Sequence, residues 1–197
     1  MLDYRGKSMG KRSNYERRPR DFYPTPIAAV EPLIPHLPYT FEYIEPCAGD
    51  GRLIDHIDEL TGGAGSLLVA TDIEPRRSDI LPANALQLEV DQYDPETYII
   101  TNPPWDRTIL HPLIEKFMQT CKTWLLFDAD WMHTKQSAIY MTYCKKVVSV
   151  GRVKWIEGSK GQGKDNCCWY LFDIEQEGPT EFYGRVVEDI KLSLIHI

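Results

Sequence analysis

Four consecutive residues, Asn102-Pro103-Pro104-Trp105, place an amide, two rigid rings and an indole directly after an apolar run. The run, residues 98–101, is β-branched or aromatic, which predicts a short strand. Neither proline can continue a central strand, because proline has no backbone N–H to donate. The chain therefore stops pairing at Asn102 and enters a stiff turn. The alternative is an ordinary strand-ending turn with a buried tryptophan.

A stiff turn of this kind holds one amide and one aromatic ring at fixed positions.

A second candidate site follows the first predicted strand, residues 41–44, where residues 45–51 read EPCAGDG. A Gly-x-Gly loop lets the backbone approach a ligand, and the helix that follows directs its N–H groups towards that ligand. Only Gly49 and Gly51 are present, so the fuller dinucleotide fingerprint is missing. Asp72 follows the next predicted strand, and an acid there can accept hydrogen bonds from ribose hydroxyls. A turn or helix-capping aspartate is the alternative.

The elements that must position these residues alternate between strands and helices. Strands are predicted over 41–44, 66–70, 86–90, 98–101, 124–127, 146–156 and 167–174, and helices over 27–37, 52–60, 109–120 and 135–144. Pro32 and Pro35 are expected to keep the first helix short or irregular. The alternation predicts an α/β fold with a mainly parallel seven-stranded sheet, helices on both faces and an antiparallel hairpin at one edge. Ligands bind at the carboxyl ends of such strands, where the candidate residues fall.

The composition indicates one globular domain over residues 21–191. The 197 residues are 43% hydrophobic and 26% charged, as in a soluble domain with a core. No apolar run approaches the ~18 residues of a membrane helix, and the basic N-terminus lacks the apolar stretch of a secretory signal. Five cysteines, an odd number without zinc spacing, lead us to expect reduced thiols in a cytoplasm and no metal. The sequence indicates no oligomeric state.

The two ends of the chain differ from its middle. Residues 1–20 hold seven Lys or Arg against two acids, a net charge of +5, whereas the whole chain carries −7. This basic arm is expected to be disordered and to bind phosphates, although a solvated tail is the alternative. Residues 192–197, LSLIHI, resemble the translation of a transposon-end sequencing adapter and are excluded from fold prediction. Whether the natural chain continues beyond Lys191 stays open.

The motifs together resemble a known family. YPTP (23–26), EPCAGDG, TDIEP (71–75) and TNPPW (101–105) occur in the order found in S-adenosylmethionine-dependent amino-group DNA methyltransferases that act on adenine. DADW (128–131), GRVKW (151–155), GKDNCCWY (163–170) and GPTEFYGR (178–185) resemble small phage and prophage members. The resemblance covers roughly residues 21–185. It implies a Rossmann-like class I methyltransferase fold, S-adenosylmethionine as cofactor, DNA as partner, a base flipped out of the helix, and a bacterial host cytoplasm if the chain is phage-encoded.

The resemblance also implies roles for individual residues. The catalytic residues would be Asn102, Pro103, Pro104 and Trp105. An adenine amino nitrogen is a poor nucleophile, because its lone pair is delocalised into the ring. In the implied reaction the Asn102 side-chain oxygen and the Pro103 carbonyl oxygen would each accept one of its N–H bonds and favour a pyramidal nitrogen. The prolines would fix the carbonyl, so little orientational entropy is lost at reaction, and Trp105 would offer a stacking face worth roughly 1–3 kcal/mol. The cofactor residues would be Thr25 at the methionine end, Glu45, Cys47, Gly49 and Gly51 as a cradle, Asp72 at the ribose, Ile73 against the adenine ring, and Asn84 near the adenine amino group. Asn84 stands where the family often has an acid, and no recognisable target-recognition domain of useful size follows. Apart from the resemblance, Asp130 and Trp131 at the end of the fifth predicted strand are further candidates for the substrate cleft, with simple packing as the alternative.

Two other functions stay open. An Asn-Pro-Pro-aromatic turn also suits a methyltransferase acting on RNA, on a cytosine amino group or on a protein glutamine. An inactive nucleic-acid-binding decoy with the same fold is the second alternative. Asn102 and Trp105 argue against a decoy, which would not need both, and the basic arm favours a nucleic acid over a protein substrate.

Overall fold

A computed structural model describes residues 22–156, 158, 163 and 165–185. The predicted basic arm, residues 1–20, and the predicted adapter-derived tail, residues 192–197, lie outside the described residues. These residues form eight strands: β1 (Phe41–Glu45), β2 (Gly65–Asp72), β3 (Leu81–Pro82), β4 (Tyr98–Thr101), β5 (Lys122–Asp128), β6 (Cys144–Gly151), β7 (Cys167–Phe172) and β8 (Glu181–Tyr183). The α-helices are α1 (Ile27–Val30), α2 (Arg52–Thr61), α3 (Arg107–Met118) and α4 (Ala138–Met141).

The strands form one mixed sheet in the order β3-β2-β1-β4-β5-β7-β6-β8. Neighbouring strands from β3 to β5 are parallel, whereas β7 runs antiparallel to both β5 and β6. The predicted mainly parallel sheet with an antiparallel hairpin is therefore confirmed. The sheet has eight strands rather than the predicted seven, because β8 pairs in parallel with β6 and adds an outermost strand that is too short to stand out in the sequence.

Three local predictions differ from the structure. The predicted strand over 86–90 is wrong: Asn84 Oδ1 accepts the Leu86 N–H at 3.0 Å and caps a 3-10 helix, Ala85–Gln87. The third strand is instead the two-residue β3. The predicted helix over 27–37 divides into α1 and a 3-10 helix, Ile34–His36, as its prolines indicated. The predicted helix over 135–144 divides into a 3-10 helix, Lys135–Ser137, and α4.

Helices cover both faces of the sheet, as predicted. Side chains alternate between the faces of a strand, so Trp124 and Leu126 of β5 pack in the core with α1 and α2, while Leu125 and Phe127 pack in the core with α3. Trp169 of β7 ties α1 to the sheet, because its indole N–H donates to the Ala29 carbonyl oxygen at 2.7 Å. The central strands are thus rigidly buried, which fixes the loops at their carboxyl ends. Over the described residues, no helix is both long and apolar enough to cross a membrane.

Candidate active site

A cleft of about 740 Å³ opens at the carboxyl ends of β1, β2 and β4. The segment before α1, the loop after β1 and the turns after β2 and β4 all contribute to its wall. Nine of the twelve residues that the sequence singled out line this cleft: Thr25, Glu45, Cys47, Gly49, Asp72, Ile73, Asn84, Asn102 and Pro104. Gly51, Pro103 and Trp105 do not line it. Segments far apart in the sequence thus share one site because parallel strands end at the same edge of the sheet.

Glu45 ends β1 with its side chain buried and only 1% of the residue exposed. Among the described residues, no hydrogen-bond donor reaches its Oε2. Burial raises the pKa of Glu45 well above its ordinary value, and the nearby negative charge of Asp72 raises it further. A buried carboxyl oxygen that lacks a donor is unfavourable by itself. It therefore suits a ligand that brings a donor or a positive charge into the cleft.

Asp72 holds the loop after β1 in place. Its Oδ2 accepts the Gly49 N–H at 2.8 Å, and its Oδ1 accepts the Glu74 N–H at 2.7 Å. The turn-aspartate alternative therefore describes part of what this residue does. Each carboxylate oxygen can accept a further hydrogen bond, so Asp72 can bind two ligand hydroxyls while it continues to hold the loop.

The two loop glycines have different surroundings. Gly49 adopts φ +56°, and a Cβ there would lie 2.9 Å from Phe22 Cε2. Gly51 adopts φ +82°, and a Cβ there would lie 2.3 Å from the Arg77 guanidinium, which itself pairs with Asp55 at 2.7 Å. Both positions therefore need glycine. Gly49 lines the cleft, whereas Gly51 packs against Arg77 and shapes the loop without lining the cleft.

Three further predicted residues differ in what they offer a ligand. Burial raises the pKa of the Cys47 thiol, so the thiol stays protonated and is not a nucleophile. Ile73 is 60% exposed at the cleft wall, where an aliphatic side chain can cover a flat ring. The Asn84 oxygen already accepts the Leu86 N–H, so its amide presents N–H donors to the cleft where an acid would present acceptors.

The Asn102 side chain is held by three hydrogen bonds. Its Nδ2 donates to Thr25 Oγ1 at 3.2 Å and to the Tyr23 carbonyl oxygen at 3.4 Å, and its Oδ1 accepts from Trp105 Nε1 at 3.2 Å. The amide therefore has one defined orientation, with a second lone pair on Oδ1 left to accept another donor. Thr25 and Asn102 are 77 positions apart, so the pattern of the sequence gave no sign of this contact.

Trp105 is partly buried against the core and does not line the cleft. Its ring stands perpendicular to that of Trp155, with ring centroids 5.6 Å apart and an interplanar angle of 89°. Trp105 therefore combines a hydrogen bond to Asn102 with an aromatic packing contact.

Other residues depart from the sequence-based expectations. Trp131 is 1% exposed and lies in the core, where its N–H donates to His111 Nε2 at 3.0 Å, so it does not line a cleft. The sequence did not single out Phe22 and Arg76. The Arg76 guanidinium lies 3.7 Å from the centre of the Phe22 ring, and both residues line the cleft. Within the described part of the chain, no group of three His, Cys, Asp or Glu could hold a metal ion.

Comparison with known proteins rests on solved structures, since no protein-family model and no curated protein sequence matches the chain. A Listeria monocytogenes protein provisionally assigned as a class I S-adenosylmethionine-dependent methyltransferase aligns over 80% of this chain, with a TM-score of 0.53 and 12% identity. The chain has the class I methyltransferase fold. A modification subunit provisionally assigned to a type I restriction enzyme of Vibrio vulnificus aligns over 86% of it, with a TM-score of 0.52 and 13% identity. The aligned part of the present chain covers 62% of the length of the Listeria protein and 48% of the length of the Vibrio subunit.

Proposed function

We propose that this chain transfers a methyl group from S-adenosylmethionine to the exocyclic amino group of adenine in DNA, with the target base flipped against residues 102–105. One observation carries the proposal. The Asn102 amide is held in a single orientation at the edge of the cleft that also contains the Gly49 loop and Asp72. An oriented acceptor beside a nucleoside-sized cleft is the arrangement that methyl transfer to an amino nitrogen needs.

The residues of the cleft fit the proposed cofactor. When bound, S-adenosylmethionine supplies a methyl group that is electrophilic because it is attached to a sulfonium, so no metal is required. Glu45, whose buried Oε2 has no donor among the described residues, would hold the cationic methionine end. Asp72 would accept the ribose hydroxyls and Ile73 would cover the adenine ring. Asn84 would contribute amide donors rather than the acceptor that an acid provides.

The catalytic work of the chain is positioning. The Asn102 Oδ1 and the Pro103 carbonyl oxygen accept the two N–H bonds of the amino group, which directs the nitrogen lone pair away from the base plane. Trp105 fixes Asn102 through its indole N–H, and we assign stacking on the flipped base to its ring face. Because the acceptors are held before the base arrives, little reorganisation is needed during reaction.

Two observations support DNA as the substrate. The fold resembles that of the Vibrio modification subunit, whose provisional assignment is to a restriction enzyme. The basic segment 1–20 carries a net charge of +5 on a chain of −7, which favours a polyanion as partner. The proposed setting is the cytoplasm of a bacterial host, with phage origin resting on the resemblance of the later motifs.

The test is methyl transfer from tritiated cofactor to separate pools of DNA, RNA and protein, followed by digestion and mass analysis. Labelled N6-methyladenine from the DNA pool is the expected product. Label in cytosine, RNA or protein glutamine alone would contradict the adenine assignment and identify the substrate. A protein that binds the cofactor tightly but labels none of the three pools would be a decoy.

A further inference from the structure

A second cleft, of about 620 Å³, lies further along the same edge of the sheet. We call it the arginine cleft, and the residues that define it are Asp130, His133, Arg152, Asn166, Phe182 and Arg185. These residues come from the segment after β5, the end of β6, the start of β7 and the end of β8. Because β7 runs against its neighbours, its beginning joins the carboxyl ends of β5, β6 and β8.

The two guanidinium groups of this cleft make no ion pair with any residue that the structure describes. Within the described residues, neither Arg152 nor Arg185 has an ion-pair or hydrogen-bond partner, and both residues are exposed. The other four arginines of the described chain each contact a carboxylate, an amide oxygen or an aromatic ring. Among the described residues of the wall, Asp130 is the one acid, against two arginines. This local excess of positive charge on an acidic chain favours an anionic ligand.

The backbone places the Arg185 side chain beside the residue that precedes Arg152, and both arginines line the same cleft. Gly151 ends β6 with φ +81°, and a Cβ there would lie 3.3 Å from Arg185 Nη1. The left-handed glycine thus lets the Arg185 side chain lie directly over the residue that precedes Arg152. Phe182, 63% exposed, adds a flat aromatic surface to the same cleft. Two arginines beside an exposed ring form the combination that holds a phosphodiester and stacks on an adjoining base.

The arginine cleft is connected to the Asn102 site. Strands β4, β5, β7 and β6 are successive neighbours, so three strand spacings of about 4.8 Å put the end of β6 about 14 Å from the end of β4. The chain leaving β6 passes from Arg152 to Trp155, which packs edge-on against Trp105. One nucleic acid strand can therefore reach both sites along a single edge of the sheet.

We propose that the arginine cleft binds the phosphodiester backbone of the nucleic acid strand that carries the target base. Arg152 and Arg185 contact phosphate, Asn166 adds a polar contact, and Phe182 stacks on a neighbouring base. This inference rests on the proposed function, which supplies a nucleic acid substrate. It adds where on the protein the nucleic acid strand is held. The chemistry is shared by DNA and RNA strands, and the experiment has an arm for each.

The experiment measures how salt affects binding of the full chain to a single-stranded oligodeoxynucleotide and to an RNA of the same sequence. The logarithm of the binding constant falls as the logarithm of the salt concentration rises. For a single strand, each lost phosphate contact makes this slope less steep by about 0.7. Arg152→Gln and Arg185→Gln should each produce a loss of that size, whereas Arg152→Lys should keep the slope. Phe182→Ala should weaken binding without changing the slope. The control is Lys116→Gln, which removes a charge from the end of α3 at the opposite edge of the sheet and should change nothing.

Unchanged slopes in both arginine variants would overturn the inference, and so would a wild-type chain that binds neither oligonucleotide. Tighter binding of DNA than of RNA identifies DNA as the source of the phosphodiester, and the reverse identifies RNA. Methyl transfer to each oligonucleotide, measured on the same preparations, separates the two proposals. Transfer with unchanged slopes contradicts the arginine cleft alone. Slopes that fall as expected without any methyl transfer contradict the proposed function and leave the arginine cleft standing.

Discussion

Replacing Thr25 with valine tests whether this residue acts through Asn102. Thr25 is 5% exposed, and its hydroxyl accepts the Asn102 Nδ2–H at 3.2 Å. Valine has a similar shape but no hydroxyl, so Nδ2 would keep only the Tyr23 carbonyl oxygen at 3.4 Å. One neutral hydrogen bond contributes about 0.5–1.5 kcal/mol. If that energy orients the amide during reaction, the methyl-transfer rate constant should fall about 2- to 12-fold.

The assay for Thr25→Val combines single-turnover methyl transfer with calorimetric titration of the cofactor. Thr25→Ser keeps the hydroxyl and should retain most of the rate, while the free energy of unfolding of both variants identifies any general damage. We expect a slower chemical step with cofactor affinity nearly unchanged. The resemblance instead implies that Thr25 contacts the methionine end of the cofactor. Weaker cofactor binding with an unchanged rate constant would support that role and refute the positioning argument.

Three further variants test the cleft. Glu45→Gln removes a carboxyl group whose pKa burial raises in the folded protein. The contribution of this group to the free energy of unfolding decreases as pH rises above about 4.3, so the wild type should lose stability relative to the variant across a pH series of chemical unfolding. A stability difference between the two proteins that does not change over this range would show that the pKa of Glu45 is not raised. Asp72→Ala should weaken cofactor binding. It should also reduce the free energy of unfolding by about 1–3 kcal/mol, because the Gly49 and Glu74 N–H groups both lose their acceptor. A cofactor affinity equal to that of the wild type, measured by calorimetry, would show that Asp72 does not bind the cofactor. Trp105→Phe loses the donor to Asn102 Oδ1 but keeps an aromatic ring. Because the ring can still stack on the base, methyl transfer and DNA affinity should exceed those of Trp105→Ala. Equal activity of the two variants would contradict the stacking role.

The sequence predicted the parts of the fold that depend on local pattern. Strand β4 and the stop at Asn102 followed from β-branched residues and the prolines. Successive residues of β5 pack in cores on opposite faces, which agrees with the two-sided sheet. The segment 86–90 was misread because its apolar residues resemble a strand, whereas the Asn84 cap bends the chain into a 3-10 helix. Strand β8 was missed because three residues carry too little periodicity.

The candidate site was only partly predictable for a related reason. Loop residues at strand ends could be named because parallel strands bring their carboxyl ends together, and nine of the twelve line one cleft. Contacts between distant segments could not be read from spacing. The bond from Asn102 to Thr25, the packing of Trp105 against Trp155 and the stacking of Arg76 on Phe22 all depend on how the loops fold over the sheet edge.

The central claim is that an oriented Asn102 amide activates an adenine amino group. The most direct measurement compares wild type and Asn102→Ala for methyl transfer to DNA, with calorimetric affinities for cofactor and for an oligodeoxynucleotide measured in parallel. The substitution removes an acceptor used mainly while the nitrogen becomes nucleophilic, so the rate should fall on the order of 10²- to 10³-fold, by analogy with oxyanion-hole donors, while both affinities change little. Mass analysis of the digested DNA should show N6-methyladenine with the wild type and almost none with the variant. A variant that methylates adenine at the wild-type rate would contradict the account.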